Sequence, residues 1–257
     1  MVTLGLDAPP AEIESLERLL SPSERARAAR FLPSVGSRFI VGRGRLRRLL
    51  ETLLGERADT IELVVGPHGK PALGGRLAGR CHFNVTHSHD RGLLALAAEA
   101  PVGIDLELRT AAHTSPWAAL LARSVLDDEE LARWRDLPEE HGPGAILEAW
   151  TCKEAILKAT GRGVGGGVRQ VRLPRPVART PVPRDGGTVD ATLSRVGPVA
   201  AGGDRTAGHT WPDDLCVGLL DLDASACAAI ACRGPSCRIS FSGFDAAVRD
   251  GIDLEFG

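Results

Sequence analysis

Gly144-Ala-Ile-Leu-Glu-Ala-Trp150-Thr-Cys-Lys153-Glu154-Ala-Ile-Leu-Lys158-Ala-Thr160-Gly161 is the stretch from which the rest of the chain is best read. It is built of good helix formers and has no internal proline. It closes on Gly161, at the position where helices commonly turn left-handed. The pattern predicts a helix over 144–160, with Ile146, Leu147, Trp150 and Leu157 supplying apolar packing. Glu154 and Lys158 stand at i and i+4, so they share a face. Such a pair is commonly a plain surface ion pair. Composition gives it more interest: only three of the 31 basic residues are lysine, namely Lys70, Lys153 and Lys158, and the others are arginine. Arginine stays charged, whereas lysine is a compact point charge that can give up its proton. Two of those three lysines lie in this one helix.

Working outward, Val102-Gly-Ile-Asp105-Leu-Glu107 reads as a strand. Alternate side chains of a strand share a face. Ile104 and Leu106 are therefore expected in the core, with Asp105 and Glu107 together on the other side. Two carboxylates on one face repel unless a cation lies between them, and oxygen-only ligands suit Mg²⁺. An ordinary solvated strand end is the competing reading. Farther upstream, a strand at Cys81–Val85 runs into Thr86-His87-Ser88, a group of hydroxyls and an imidazole suited to an anion or a proton near neutral pH. Gly66-Pro-His-Gly-Lys70-Pro71 is a turn.

The remaining chain reads as helical over 10–57, with an arginine-rich face on the 38–54 helix. Short strands follow at Ile61–Val65, Leu93–Ala97 and Val102–Leu106, then helices with loops over 111–141. The Pro- and Gly-rich 174–213 segment reads as irregular or a loose hairpin. Leu215–Leu222 and Ala226–Cys232 are the last convincing strands, paired through a tight turn. This order predicts an α+β fold of two similar-sized lobes, 1–101 and 102–257. A net charge of −2 implies no bulk attraction to nucleic acid or membrane. No run is long and apolar enough to span a bilayer, and the first residues lack the pattern of a signal peptide. Six cysteines without a C-x-x-C pair suit reduced thiols in a cytoplasmic protein.

Taken in order, Gly69-Lys-Pro71, Phe83-Asn-Val-Thr-His-Ser88, Val102-Gly-Ile-Asp-Leu-Glu107 and Trp150-Thr-Cys-Lys-Glu-Ala-Ile-Leu-Lys158 resemble the 4′-phosphopantetheinyl transferase superfamily, in its larger, two-lobed (Sfp-type) class. Thr86 departs from the more usual serine but keeps the hydroxyl. The 174–213 segment has no clear counterpart. The resemblance implies two related α/β lobes in a pseudo-twofold, with the active site in the cleft between them. The implied reaction moves phosphopantetheine from coenzyme A to a serine of an apo acyl or peptidyl carrier protein, releasing adenosine 3′,5′-bisphosphate. The implied carriers belong to polyketide, nonribosomal peptide or fatty acid synthases, and the enzyme is expected to be a cytoplasmic monomer.

By the same resemblance, Asp105, Glu107 and Glu154 hold Mg²⁺, with Glu154 also the candidate base. Lys158 contacts the pyrophosphate. Thr86 and His87 bind the 3′-phosphate or pyrophosphate region, Arg47 with Arg43 clamps the 3′-phosphate, and Lys70 touches the nucleotide. Lys153 reaches phosphate or packs along the cleft. The carrier docks over 111–137, where Trp117, Leu120, Leu121, Val125, Leu126 and Leu131 form an apolar surface or simply pack the second lobe. A Mg²⁺-dependent coenzyme A pyrophosphate hydrolase and an inactive coenzyme A or carrier-binding module are the alternatives.

Overall fold

A computed structural model of the chain describes residues 1–163, 165, 167–183, 185–198, 212–252 and 254. The first part runs β1 (Val2–Gly5), α1 (Pro10–Glu17), α2 (Pro22–Ala28), α3 (Pro33–Leu54), a small hairpin β2 (Leu63–Val65) and β3 (Pro71–Leu73), then β4 (His82–Ser88) and β5 (Arg91–Ala97). All three helices start on proline, where the missing N–H is no loss. A Ser21/Glu24 capping box opens α2.

The second part runs β6 (Gly103–Leu108), α4 (Ser115–Val125), α5 (Asp128–Arg135) and α6 (Gly142–Thr160). Helix α6 ends at Gly161 with φ 70°, as its sequence predicts. Then come β7 (Val171–Arg172), β8 (Ala178–Pro181), β9 (Gly187–Thr192), β10 (Ser194–Arg195), β11 (Gly197–Pro198), β12 (Leu215–Asp221), β13 (Ala226–Arg233), β14 (Ser236–Gly243) and α7 (Phe244–Asp250).

Among the described residues two larger sheets form, ordered β4-β5-β1-β14-β9 and β10-β12-β13-β6, with β8 also pairing β12. Their connectivity repeats. A leading strand (β1 or β6) is followed by helices ending in a long one (α3 or α6) and by an antiparallel hairpin (β4–β5 or β12–β13). In each case the leading strand pairs antiparallel with the second hairpin strand. This is the α+β arrangement of two related units expected from the sequence.

Two expectations need correction. The chain does not finish its strands at Cys232: β14 pairs parallel with β1 in the first sheet, and α7 buries Ala247 among Leu46, Leu49 and Leu50 of α3. The chain's end thus crosses the division drawn at residue 101. Ile239 and Phe241 are buried while Ser236, Arg238 and Ser240 are exposed, a strand alternation hidden among polar residues. The 174–213 segment is also more ordered than its composition suggests. It supplies β8, parallel to β12, and β9, antiparallel to β14; its residues 199–211 lie outside the described residues.

Leu93, Ile104, Leu106, Ile230 and Phe241 share a core that joins residues of both sheets. The other face of the second sheet packs α6 through Leu147, Ile156, Leu157, Val217 and Ala229. Gly103 sets how close that helix comes. A Cβ there would lie 2.0 Å from the Ala155 carbonyl oxygen and 2.4 Å from the Ala159 nitrogen. Only glycine permits so close an approach of helix to strand.

The two sheets meet edge to edge at β4 and β6. Side chains at alternate positions of β4 take up backbone N–H groups of β6: Asn84 Oδ1 accepts from Ile104 N at 2.7 Å, and Ser88 Oγ accepts from Leu108 N at 3.1 Å. An exposed strand edge is thereby closed by side chains.

Candidate active site

Strand β6 places Ile104 and Leu106 in the core between the sheets. Asp105 and Glu107 face α6, as strand alternation requires. On α6, Trp150, Glu154 and Lys158 follow at i, i+4 and i+8. Lys158 lies eight residues beyond Trp150, about 12 Å along the helix, whereas Asp105 and Glu107 lie about 7 Å apart along the strand. The two long side chains converge on the strand from either side of Glu154: Lys158 meets Asp105 and Trp150 meets Glu107.

Lys158 Nζ lies 2.6 Å from Asp105 Oδ1 and 3.2 Å from Thr86 Oγ1. Thr86 donates to the same carboxylate oxygen at 3.0 Å. Glu107 accepts from the Trp150 indole N–H at 3.1 Å and from the Ser88 hydroxyl at 3.4 Å. Burial, then the neighbouring Asp105, raises its carboxyl above the usual range. Glu154 is pushed up to about 7, chiefly by burial; Lys158 opposes the rise, while Asp105 and Glu107 add to it. Two carboxylate oxygens here, Asp105 Oδ2 and Glu154 Oε1, are buried without a hydrogen-bond partner. Buried carboxylate oxygens ordinarily find a donor or a cation. Among the described residues no three His, Cys, Asp or Glu side chains stand together as a ready metal cluster, and the charge facing Asp105 is the Lys158 ammonium.

Thr86 also opens onto a cavity of about 540 Å³ between α3, the start of β3 and the end of β4. One wall is apolar, with Phe31, Val35 and Phe39, and three cations border it: Arg27, Arg38 and Arg43. Arg27 and Arg43 both stack their guanidinium groups near the Phe39 ring, at 5.5 and 5.7 Å. Arg43 Nη1 is buried without a partner. His87 lines the opposite side, its imidazole held below its usual range by burial and by Lys158.

Arg47 and Lys70, expected at the nucleotide, and Lys153, expected at phosphate or packed along the cleft, do not line this cavity. Arg47 is buried, with Nη2 2.7 Å from Glu24 and Nη1 donating to the Ala58 and Ile61 carbonyls at 2.8 and 2.9 Å. Lys70 turns away from the cavity that its neighbours Gly69 and Pro71 line. Its Nζ donates to the Lys158 carbonyl at 2.7 Å and the Val102 carbonyl at 2.9 Å, tying the hairpin turn to the C-terminal turn of α6. Helix C-termini favour such a cation. Burial and Lys158 bring the Lys70 ammonium down to about 8.

Lys153 is fully buried, 2.5 Å from Glu130 and 2.9 Å from the Val125 carbonyl, and Glu130 in turn accepts from Leu173 N. It pins α5 and the chain after α6 onto the helix, and so packs rather than reaching phosphate. In the expected docking region, Val125 and Leu126 are core residues, while Leu120 is 68% exposed.

Sequence reading missed Trp150 and Ser88 as partners of Glu107. Their signal was positional: Trp150 is four residues before Glu154, and Ser88 is two beyond Thr86.

The repeated α+β units thus bring a cluster of carboxylates beside a cation-lined cavity. Residues 101–203 match the model of the 4′-phosphopantetheinyl transferase superfamily. The chain is similar to 4′-phosphopantetheinyl transferase HetI of Nostoc sp., 40% identical over 63% of this chain and 68% of that protein. It is similar to 4′-phosphopantetheinyl transferase psf-1 of Bacillus pumilus, 28% identical over 61% of this chain and 64% of that protein. The 4′-phosphopantetheinyl transferase AcpT of Salmonella typhimurium is 35% identical over 39% of this chain and half of its own length. The chain belongs to the 4′-phosphopantetheinyl transferase superfamily and is a transferase of that kind.

Proposed function

We propose that this protein transfers phosphopantetheine from coenzyme A to the serine of an apo carrier protein domain. The observation that carries the reading is the stripe Trp150, Glu154 and Lys158 facing Asp105 and Glu107, with two buried carboxylate oxygens unpaired beside a cation-lined cavity. The adenosine and its 3′-phosphate occupy that cavity, against Phe39 and Arg43. The unpaired Nη1 of Arg43 supplies the donor that a phosphate oxygen needs. His87 contacts the phosphates from the other wall.

Asp105, Glu107 and Glu154 fit a hard divalent cation, because they are oxygen donors and two of their oxygens lack partners. Mg²⁺ held there would neutralise pyrophosphate charge. In the reaction the serine oxygen bonds to the β-phosphorus while the bridging P–O bond breaks. Electrons pass to the departing adenosine 3′,5′-bisphosphate. Glu154 accepts the serine proton. Lys158 shifts from Asp105 toward the charge on the leaving oxygen. Positioning and charge neutralisation are what phosphoryl transfer mainly requires. The carrier docks beside α4, where Leu120 is exposed. The protein works as a monomer in the cytoplasm; among the described residues no helix is long and apolar enough to cross a membrane.

Glu154→Gln tests the assignment. It removes the proton acceptor and is expected to lower transfer at least ~10²-fold while coenzyme A still binds. A variant near the wild-type rate takes Glu154 out of the chemistry. Bisphosphate released from coenzyme A without carrier would instead mark a hydrolase, and coenzyme A binding without either reaction a binding module.

A further inference from the structure

We propose that Trp150 is a positioning residue for Glu107: its indole fixes that carboxylate for a divalent cation without neutralising it. The inference rests on the cation reading given above.

The two carboxylates of β6 are held differently. Asp105 is paired with an ammonium, Lys158 Nζ at 2.6 Å. Glu107 is held by neutral donors alone, the Trp150 indole on Oε1 and the Ser88 hydroxyl on Oε2. A neutral N–H orients a carboxylate and leaves its charge in place. Each carboxylate oxygen has two lone pairs, so one donor on each oxygen leaves acceptor capacity for a ligand. Indole is also rigid and donor-only. A flexible lysine at this position would compete with the incoming cation; an indole N–H does not.

The fold explains why tryptophan reaches this far. Trp150 lies one helical step before Glu154 on the stripe that faces β6. It is packed in turn against the apolar group of Ala118, Ala122 and Ile146. That packing fixes the ring, and the ring fixes the carboxylate. From the other side, Ser88 is itself fixed because it accepts from Leu108 N at 3.1 Å. Glu107 is thus clamped between the two sheets' junction and the helix. Outer partners that orient metal ligands are worth roughly 10- to 100-fold in metal affinity.

The test is Mn²⁺ binding to the full chain, by calorimetry, without coenzyme A. Trp150→Phe keeps most of the ring volume and removes the donor. It is expected to keep the metal-free melting temperature and to bind Mn²⁺ about tenfold or more weakly. Transfer should recover when metal is raised to saturation, because the residue positions a ligand and does not react. Wild-type Mn²⁺ affinity in folded Trp150→Phe overturns the inference.

If the variant does not fold, the wild-type protein decides. The assigned indole N–H resonance of Trp150 should shift as Mg²⁺ saturates the site, and a resonance that stays fixed overturns the inference. Wild-type protein that binds no Mn²⁺ refutes the cation reading itself, and the inference with it. Binding that Trp150→Phe leaves unchanged refutes the inference alone.

Discussion

Replacing Gly103 by alanine should damage the site without touching any polar group in it. The new Cβ would stand 2.0 Å from the Ala155 carbonyl oxygen and 2.4 Å from the Ala159 nitrogen. Both obstacles are helix backbone, so no rotamer change relieves them. Restoring an ordinary contact of roughly 3.5 Å needs α6 to retreat by more than an ångström. Overpacking of this kind costs about 1–3 kcal/mol, and the backbone character of the clash puts Gly103→Ala near the upper end. For a chain of this size that is a fall of roughly 6–12 °C in melting temperature.

The larger effect falls on chemistry, because Ala155 and Ala159 directly follow Glu154 and Lys158. Displacing catalytic groups by about 1 Å can cost ~10²-fold in rate. Calorimetry and the transfer assay read the two effects separately. Gly144→Ala in the same helix is the control: its Cβ would meet only the end of the Arg109 side chain, at 3.4 Å, and both readouts should stay near wild type. Gly103→Ala with wild-type melting and wild-type rate would refute the claim that this glycine sets the helix-to-strand distance at the site.

Lys153→Met should destabilise by about 3–5 kcal/mol, because it leaves Glu130 buried without its cation. Adding Glu130→Gln should restore part of the loss in urea denaturation, and no restoration would mean that the pair is not coupled. Arg43→Ala should raise the KM for coenzyme A and cost less stability than the loss of Arg47, because its contact with Glu24 is longer, at 3.4 Å. Arg47→Ala should unfold the protein more readily, since Arg47 holds Glu24 and two carbonyls; the reverse pattern would restore Arg47 as the phosphate clamp.

Glu154 gives a pH signature. Its folded carboxyl is raised from 4.5 to about 7, so the folded metal-free protein holds a proton that the unfolded chain gives up earlier. The associated stability is full below about 4.5 and is lost as pH rises through about 7. Glu154→Gln should flatten that slope in thermal melts of metal-free protein, and an unchanged slope would mean that another group titrates.

Much of this site was legible because it is written in local periods. Asp105 and Glu107 obey the strand period and Glu154 and Lys158 the helix period, so their faces followed from spacing. Meeting across space did not follow. Arg43 and Arg47 lie on one arginine-rich helix and look equivalent as letters. Both reach Glu24, Arg43 at 3.4 Å and Arg47 at 2.7 Å, but only packing buries Arg47 against the Ala58 and Ile61 carbonyls and leaves Arg43 on the cavity. Lys70 and Lys153 drew notice through rarity, and both proved to be tethers for backbone and carboxylate. The scarcity of lysine marked places where an ammonium fits among buried acceptors, and only at Lys158 does such a place coincide with the cleft. The inner strands β1 and β14 were missed for a different reason. Each is short or interleaved with polar residues, and what makes it a strand is its pairing with residues from the other end of the chain.

The central claim is group transfer at the cleft between Asp105, Glu107, Glu154 and Lys158. The most direct test is the intact mass of an apo carrier domain after incubation with the protein, coenzyme A and Mg²⁺. The carrier serine should gain one phosphopantetheinyl group, with one equivalent of adenosine 3′,5′-bisphosphate released. An unmodified carrier beside intact coenzyme A, tested across acyl and peptidyl carriers, would contradict it.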